Sequence, residues 1–428
     1  MDKNRKTAYH VLVDVESKKS YSNLALNHHI IVSKPSSPAF VREMVYGVLE
    51  NKMLLDYIID QLVPTGASKL KTSELTILRM GIYQLGYMEK VPEYAAVNES
   101  VNLAKRFTAG KKNFVNGVLR SYIREKFSIK LPDRNEDEIR YLSIKYSYEP
   151  WIIRLWLEQY DMAFVEELLA AGNETPEMVI RMNWLKTVKK DLMERLEKKG
   201  YKVKNGKMCQ NAIIVEGPNI VSNNIYEEGY YSIQDEASML TSEKLNPQKG
   251  DFVMDVCAAP GGKTLAIAER MDNKGTIVAS DIYKRKLDII EKEANRLGIT
   301  NVETRTWDAT RLDSDFIGKA DRVLCDVPCS GLGVIRRKPE IKYKKNDKDM
   351  ETLPIKQRAI LEASSQYVKM GGTLVYSTCT INKYENDRIV NDFLAKYKDF
   401  EEVERKQLLP NVDGTDGFFY CVMRRKTF

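Results

Sequence analysis

The sequence predicts a multidomain chain. An all-α domain spans 1–130, an intermediate helical plus small α/β domain spans 131–234, and a doubly wound α/β domain spans 235–428. Three observations carry this division. A length of 428 residues is that of about three ordinary domains. The first 130 residues show helix-spaced apolar stripes and no period-2 strand. From about residue 235, short buried-type strands alternate with helical stripes, the pattern of a parallel sheet covered on both faces.

In the first domain, Val41, Val45, Val48, Leu55, Ile59 and Leu62 form one helical stripe, and Leu75, Leu78, Ile82 and Leu85 another. Pro92 and Glu93 open a helix carrying Val97, Val101 and Ala104, and Phe114, Val118 and Tyr122 mark the last one. The polar run Pro132-Asp133-Arg134-Asn135-Glu136-Asp137-Glu138 marks a boundary. A helical region follows Pro150. Met178–Met182 then reads as strand, Val188, Leu192 and Leu196 as helix, and 201–203 and 212–215 as extended. In the third domain the expected strands are 252–256, 275–281, 302–307, 322–325 and 373–376, with helices over 264–271 and through Leu287, Ile290, Ala294 and Leu297.

Composition narrows the function classes. Apolar residues at 43% and charged residues at 30% exclude collagen-like, low-complexity and wholly disordered chains. No apolar run approaches the roughly 18 residues of a membrane span. Carboxylates interrupt the N-terminal apolar stretch, so a signal peptide is not expected and a cytoplasmic location is. Six cysteines without a C-x-x-C pair argue against a disulfide scaffold or a zinc site, and no metal is expected. The three histidines, His10, His28 and His29, lie near the N-terminus, far in sequence from the α/β domain.

The net charge of +7 is unevenly placed: residues 1–130 carry +8. Within 101–130, Lys105, Arg106, Lys111, Lys112, Arg120, Arg124, Lys126 and Lys130 face only Glu125. Such a run is either a solvated helix face or a surface for a polyanion.

Chemistry concentrates at the predicted strand ends. The first strand runs into Asp255-Val256-Cys257-Ala258-Ala259-Pro260-Gly261-Gly262-Lys263-Thr264, a small-residue loop that lets backbone N–H groups approach a ligand at a helix N-terminus. A Walker A phosphate loop would require glycine where Cys257 stands, and no G-x-G-x-x-G is present. Asp281 ends the second strand, where an acidic side chain accepts from ribose hydroxyls, and Asp308 ends the third, within reach of an adenine amino group. Either aspartate alone could be a turn residue; with the glycine loop, three successive strand ends point to an adenosine-containing ligand. The fourth strand ends in Asp326-Val327-Pro328-Cys329-Ser330-Gly331 and the fifth in Ser377-Thr378-Cys379-Thr380. Cys209, Cys325 and Cys421 fit small buried hydrophobes, whereas Cys329 and Cys379 follow strand ends, where the ligand crevice of such a sheet lies.

The glycine loop, the Pro328-Cys329 and Thr378-Cys379 motifs, and Gln234-Asp235-Glu236-Ala237-Ser238 closely resemble motifs of the Sun/NSUN-type RNA cytosine-C5 methyltransferases. Val97-Asn98-Glu99-Ser100-Val101-Asn102-Leu103-Ala104 and Phe114-Val115-Asn116-Gly117-Val118-Leu119-Arg120 resemble NusB. The combination resembles the bacterial 16S ribosomal RNA methyltransferase B group. The resemblance implies a NusB-like RNA-binding domain over 1–130 and a Rossmann-like class I S-adenosylmethionine-dependent methyltransferase domain over 235–428. It implies 16S ribosomal RNA as partner and S-adenosylmethionine as methyl donor, with a monomer expected and no obligate protein partner. It also implies Cys379 as the nucleophile that adds to cytosine C6, Cys329 as the group assisting release, and Asp326 as a hydrogen-bond partner of the cytosine edge. Cys257, Ala258, Ala259, Pro260, Gly261, Gly262, Lys263, Asp281, Asp308 and Asp326 are the implied cofactor contacts. Lys284, Arg285 and Lys286, and Arg336, Arg337 and Lys338, are expected to flank the crevice and hold phosphates. Two alternatives stay open on the residues alone: a P-loop-like NTPase with Asp326 as its acidic residue, and a non-catalytic RNA-binding factor.

Overall fold

The computed structural model describes residues 1–217 and 219–427 and contains two compact units. The first comprises Met1–Glu174 with Ile335–Asn346, the second Thr175–Val334 with Asp347–Phe428.

The first unit is helical. Helices Lys3–Ser17, Pro38–Glu50, Glu93–Phe107 and Lys112–Glu125 surround Thr72–Tyr87, which is buried on nearly every side through Ile77, Leu78, Met80 and Ile82. Local chemistry sets the starts: Asp2 accepts from the Arg5 amide at 2.8 Å, and Ser37, followed by Pro38, accepts from the Phe40 amide at 3.2 Å. Helices Glu138–Tyr146, Pro150–Leu157 and Met162–Ala171 group with this unit, so the expected intermediate domain over 131–234 is divided near residue 174. The reason is burial: Leu142, Ile152, Ile153 and Trp156 are closed from solvent, and Ser147 Oγ accepts from the Leu54 amide at 3.1 Å.

The excursion Ile335–Asn346 is anchored in the same unit by charged and polar side chains. Both Glu340 carboxylate oxygens accept from Ser22, from its amide at 3.0 Å and its hydroxyl at 2.7 Å. The Lys342 ammonium is fully buried, donates to the Glu50 and Tyr146 carbonyls at 3.3 and 3.2 Å, and lies 4.0 Å from the centre of the Tyr148 ring. Burial pulls its pKa down to about 7.

The second unit holds two sheets. The small one contains β1 (Val179–Met182), β2 (Lys202–Asn205), β3 (Ala212–Glu216) and β4 (Tyr231–Ile233), all antiparallel, in the order β2-β3-β1-β4. The large one contains β5 (Phe252–Asp255), β6 (Thr276–Asp281), β7 (Val302–Thr306), β8 (Ala320–Asp326), β9 (Val368–Thr378), β10 (Phe400–Leu408) and β11 (Phe418–Arg425). Its order is β10-β11-β9-β8-β5-β6-β7. The five strands β5 to β9 are parallel, as expected, and the chain reverses its direction of travel at β5, between β6 and β8. Ligands of such sheets bind outside the carboxyl ends at that point. The antiparallel pair β10 and β11 has no counterpart among the expected strands: Glu401, Glu402, Glu404, Arg405 and Lys406 make β10 a charged, largely exposed edge strand rather than a buried apolar run.

One buried ion pair joins the small sheet to the helix that follows the glycine loop. Arg181, on β1, donates to Glu269 at 2.8 Å and to the Gly262 carbonyl at 2.6 Å, and also to Gln234. Arg181 and Glu269 are 1% and 3% exposed, so neither charge has water to fall back on.

Candidate active site

The carboxyl ends of the parallel strands enclose a cavity of about 410 Å³. Cys257 and Ala259 from the first loop, Asp281, Asp308, Asp326, Cys329 and Cys379 all line it. The structure thus brings together, from all the parallel strand ends, residues that the sequence singles out one motif at a time.

The first loop is held from behind. The Ala258 amide donates to the Ser280 carbonyl at 2.8 Å, and Thr264 Oγ1 donates to Asp255 Oδ2 at 2.6 Å. Gly261 has φ of 103°, and a side chain there would press on Ile290, 2.9 Å from its Cγ1. Ala258, Pro260, Gly261, Gly262 and Lys263 are not on the cavity wall; they shape the turn that presents Cys257 and Ala259.

Asp281 and Asp308 each have a local structural task as well as a place on the wall. Asp281 Oδ1 accepts from the Tyr283 amide at 3.0 Å. Asp308 Oδ1 accepts from the Thr310 hydroxyl at 2.8 Å and its amide at 3.0 Å, and these two bonds hold its carboxyl below the usual range. Turn residue and ligand contact are therefore compatible here, since each carboxylate keeps a second oxygen.

Lys263 is engaged within the protein. Its ammonium donates to Asp326 Oδ2 at 2.7 Å and lies 4.7 Å from the centre of the Phe418 ring. Burial pulls its pKa down, but the charge and hydrogen bond of Asp326 outweigh burial and the net shift is upward. Asp326 Oδ1 accepts from Ser377 Oγ at 2.7 Å. The carboxylate thus sits between an ammonium and a hydroxyl at the head of β8.

The Cys329 and Cys379 sulfurs are 3.3 Å apart, a thiol hydrogen bond rather than a disulfide. Cys329 is pushed well above the usual thiol range, first by its hydrogen bond to Cys379, then by burial and by the charges of Cys379 and Glu385. Either sulfur can donate in this contact. Cys325 on β8 and Cys421 on β11 are buried, and so is Cys209 in the turn between β2 and β3.

Trp307, Tyr283, Lys356, Glu385 and Gln357 carry no sequence signal of a role at the site. Trp307, Tyr283, Lys286 and Lys356 line the cavity; of these only Lys286 is expected near it. Glu385, Gln357, Ser330 and Thr380 form a hydrogen-bonded cluster behind the two cysteines. No spacing rule flags a carboxylate in the loop Asn382-Lys383-Tyr384-Glu385. The basic triplet Arg336-Arg337-Lys338 belongs to the first unit, and Arg336 is buried there, which argues against its holding a phosphate. Among the described residues, no group of three or more His, Cys, Asp or Glu is arranged to hold a metal, and no helix is long and apolar enough to cross a membrane.

The first unit has its own concavity, a groove of about 770 Å³ between helices Glu93–Phe107 and Lys112–Glu125. Lys105, Lys112 and Arg120 line it with Asn98, Asn113 and Asn116, so part of the basic run gathers on one wall system.

Residues 242–424 match the family model described as 16S rRNA methyltransferase RsmB/F, residues 2–124 that of the NusB family, and residues 148–222 that of the RsmF/B-like ferredoxin-like domain. The chain is 37% identical over 443 aligned positions to the probable ribosomal RNA small subunit methyltransferase B of Bacillus subtilis, covering 99% of this chain and 98% of that protein. It is 32% identical to the ribosomal RNA small subunit methyltransferase B of Escherichia coli O127:H6, covering 96% of each. The crystal structure of PH0851 superposes with a TM-score of 0.84 at 25% identity, with 98% of each chain covered.

Proposed function

Since this chain belongs to the ribosomal RNA small subunit methyltransferase B family, we propose that it methylates carbon 5 of a cytosine in 16S ribosomal RNA, through a covalent bond between Cys379 and cytosine C6. The observation that carries this reading is the pair of sulfurs 3.3 Å apart, at the ends of neighbouring parallel strands, on the wall of one cavity. Two packing cysteines would have no reason to face a ligand crevice together.

The methyl donor of this reading is S-adenosylmethionine, which when bound supplies an electrophilic methyl group. The cavity fits it: Asp281 and Asp308 each keep an oxygen beyond their turn bonds, for the ribose and the adenine edge respectively, and Cys257 and Ala259 bring the first loop onto its wall. Asp326, with Lys263 and Ser377 fixing its carboxylate, faces the cytosine edge.

Cytosine C5 is a poor nucleophile. Cys379 thiolate adds to C6, and the electron pair of the C5–C6 double bond becomes available at C5. C5 takes the methyl group, and the electrons of the methyl–sulfur bond stay with the departing sulfur. Release then removes the C5 proton to a water molecule, re-forms the double bond, and returns the S–C6 electron pair to Cys379. An ordinary thiol is only a few per cent thiolate at neutral pH; a hydrogen bond donated by the Cys329 thiol, 3.3 Å away, favours the thiolate on Cys379. The target base must leave its stack to reach this position, at a cost of a few kcal/mol.

The test uses methyl-labelled S-adenosylmethionine and 16S ribosomal RNA. Cys379→Ala abolishes methylation and every covalent adduct while cofactor binding survives. Cys329→Ala stops turnover and leaves a methyl-labelled protein–RNA species stable to denaturing electrophoresis. An adduct formed by Cys379→Ala but not by Cys329→Ala reverses the two roles. Labelled transfer without any adduct in either variant removes the covalent step. ATP hydrolysis, the alternative on the glycine loop, is disfavoured by Lys263, whose ammonium is taken by Asp326.

A further inference from the structure

Behind the two cysteines lies a carboxylate that touches neither the cavity nor solvent. Glu385 is fully buried, and its oxygens accept four hydrogen bonds. Oε2 accepts from the Ser330 amide at 2.8 Å and from Gln357 Nε2 at 2.9 Å; Oε1 accepts from Ser330 Oγ at 2.5 Å and from Asn382 Nδ2 at 3.1 Å. A carboxylate has about four lone-pair positions and only accepts when ionised, so this environment fills its capacity.

The donors are not scattered. Ser330 follows Cys329 directly, and its hydroxyl also lies 2.8 Å from Thr380 Oγ1, the residue after Cys379. Asn382 lies three residues past Cys379. Gln357 Nε2 donates a second bond, at 3.0 Å, to the Pro328 carbonyl, immediately before Cys329. The Glu385 backbone is itself held, its carbonyl accepting from Tyr376 OH on β9 at 2.7 Å. One side chain therefore ties the loop carrying Cys329 to the loop carrying Cys379. Burying a carboxylate this completely is costly unless it is fully hydrogen-bonded, and an apolar residue would fill the space without that cost. What the carboxylate adds is a fixed distance between two loops.

We infer that Glu385 is a positioning residue for the release step: it holds Cys329 against Cys379, so that the covalent RNA intermediate breaks down. The inference rests on the proposed division of labour between the two cysteines. Glu385 contacts no reacting atom. Its role predicts a kinetic signature that loss of fold does not produce.

The test uses the full chain, a 16S ribosomal RNA transcript and methyl-labelled S-adenosylmethionine. Glu385→Gln keeps the size but replaces one acceptor oxygen by an amide NH₂. One orientation of that amide sets a donor against the Ser330 amide and Gln357 Nε2; the other sets it against Asn382 Nδ2 and forces the Ser330 hydroxyl to turn from donor to acceptor. A misplacement of the order of 1 Å costs about 100-fold in rate. Turnover therefore falls by about 100-fold, S-adenosylmethionine affinity is unchanged, and the methyl-labelled adduct accumulates as it does in Cys329→Ala. Should Glu385→Gln not fold, Ser330→Ala carries the same test with a smaller adduct fraction, because it removes the hydroxyl bridge to Glu385 and Thr380 and keeps the amide bond. Wild-type turnover overturns the inference. So does loss of turnover without adduct, when Cys329→Ala run in parallel traps one. If Cys329→Ala itself traps nothing, the covalent reading falls first and takes this inference with it.

Discussion

Asp255 ends the first parallel strand with its side chain closed from solvent: Thr264 donates to Oδ2, and Oδ1 has no hydrogen-bond partner among the described residues. Burial pushes its pKa up to about 7, against the pull of the Thr264 hydrogen bond and with the charge of Asp326 adding to the rise. In the unfolded chain such a group titrates near about 4. Between about pH 4 and pH 7 the native state therefore holds a proton that the unfolded state has lost. Stability from this group is complete below about pH 4, falls as pH rises through the window, and levels off above about pH 7. Asp255→Asn removes the charge and keeps the shape. Urea unfolding at about pH 5 and about pH 8 is expected to show a smaller difference for the variant than for the wild type, with the variant gaining up to a few kcal/mol at the higher pH. An unchanged difference would mean that the carboxyl is solvated in solution. Single residues are partly legible from sequence. Cys325 as a buried hydrophobe and Cys329 and Cys379 at strand ends can be read, because position relative to a strand end is a local property. The Lys263–Asp326 pair cannot, because its partners are 63 positions apart and meet only when β5 and β8 lie side by side.

Elements show the same division between local and distant signals. The parallel strands are readable because burial on both faces leaves continuous apolar runs. β4, three residues long, is too short to show a period, and the charges of β10 mask its strand character. The link between β1 and the helix Gly262–Arg270 is an ion pair across 88 positions and leaves no trace in any window. That link has an expected energetic weight. Arg181→Met leaves Glu269 buried without its hydrogen-bonded partner, which costs about 3–5 kcal/mol when one partner of such a pair is removed. Adding Glu269→Leu should recover most of the loss, since replacing both charges by apolar groups is often nearly neutral. Chemical denaturation of the single and double variants measures both numbers. A double variant no more stable than the single one would show that the hydrogen bonds to Gly262 and Gln234 dominate.

On the scale of the whole molecule, charge is the most legible property and its geometry the least. The excess of basic residues over 101–130 is visible in the sequence, but which of them share a wall is set by the packing of two helices. Lys105, Lys112 and Arg120 line the groove, whereas Lys111 lies 5.8 Å from the centre of the Phe114 ring. If the groove takes single-stranded RNA, each phosphate deprived of its cationic partner flattens the plot of log K against log salt by about 0.7. Replacing all three groove residues with Ala should lower the slope by about 2 and weaken binding in step. A filter-binding series across salt concentrations reads both. A slope that does not move assigns the run to solvent.

The excursion Ile335–Asn346 has a consequence for how the chain is made. Glu340 and Lys342 are built into the helical unit, yet the 160 residues 175–334 separate them from the stretch ending at Glu174. A ribosome adding about 5–20 residues per second needs roughly ten to thirty seconds to cross that interval. During this time the Ser22 amide and hydroxyl have no carboxylate and the Glu50, Tyr146 and Asn173 oxygens have no ammonium. The N-terminal unit is thus the first to emerge, yet it is complete only after the second unit's first segment has followed it. Its last partners wait until the segment carrying Cys329 has already been synthesised, so the unit with the basic groove completes its own structure only in a chain that already carries that cysteine.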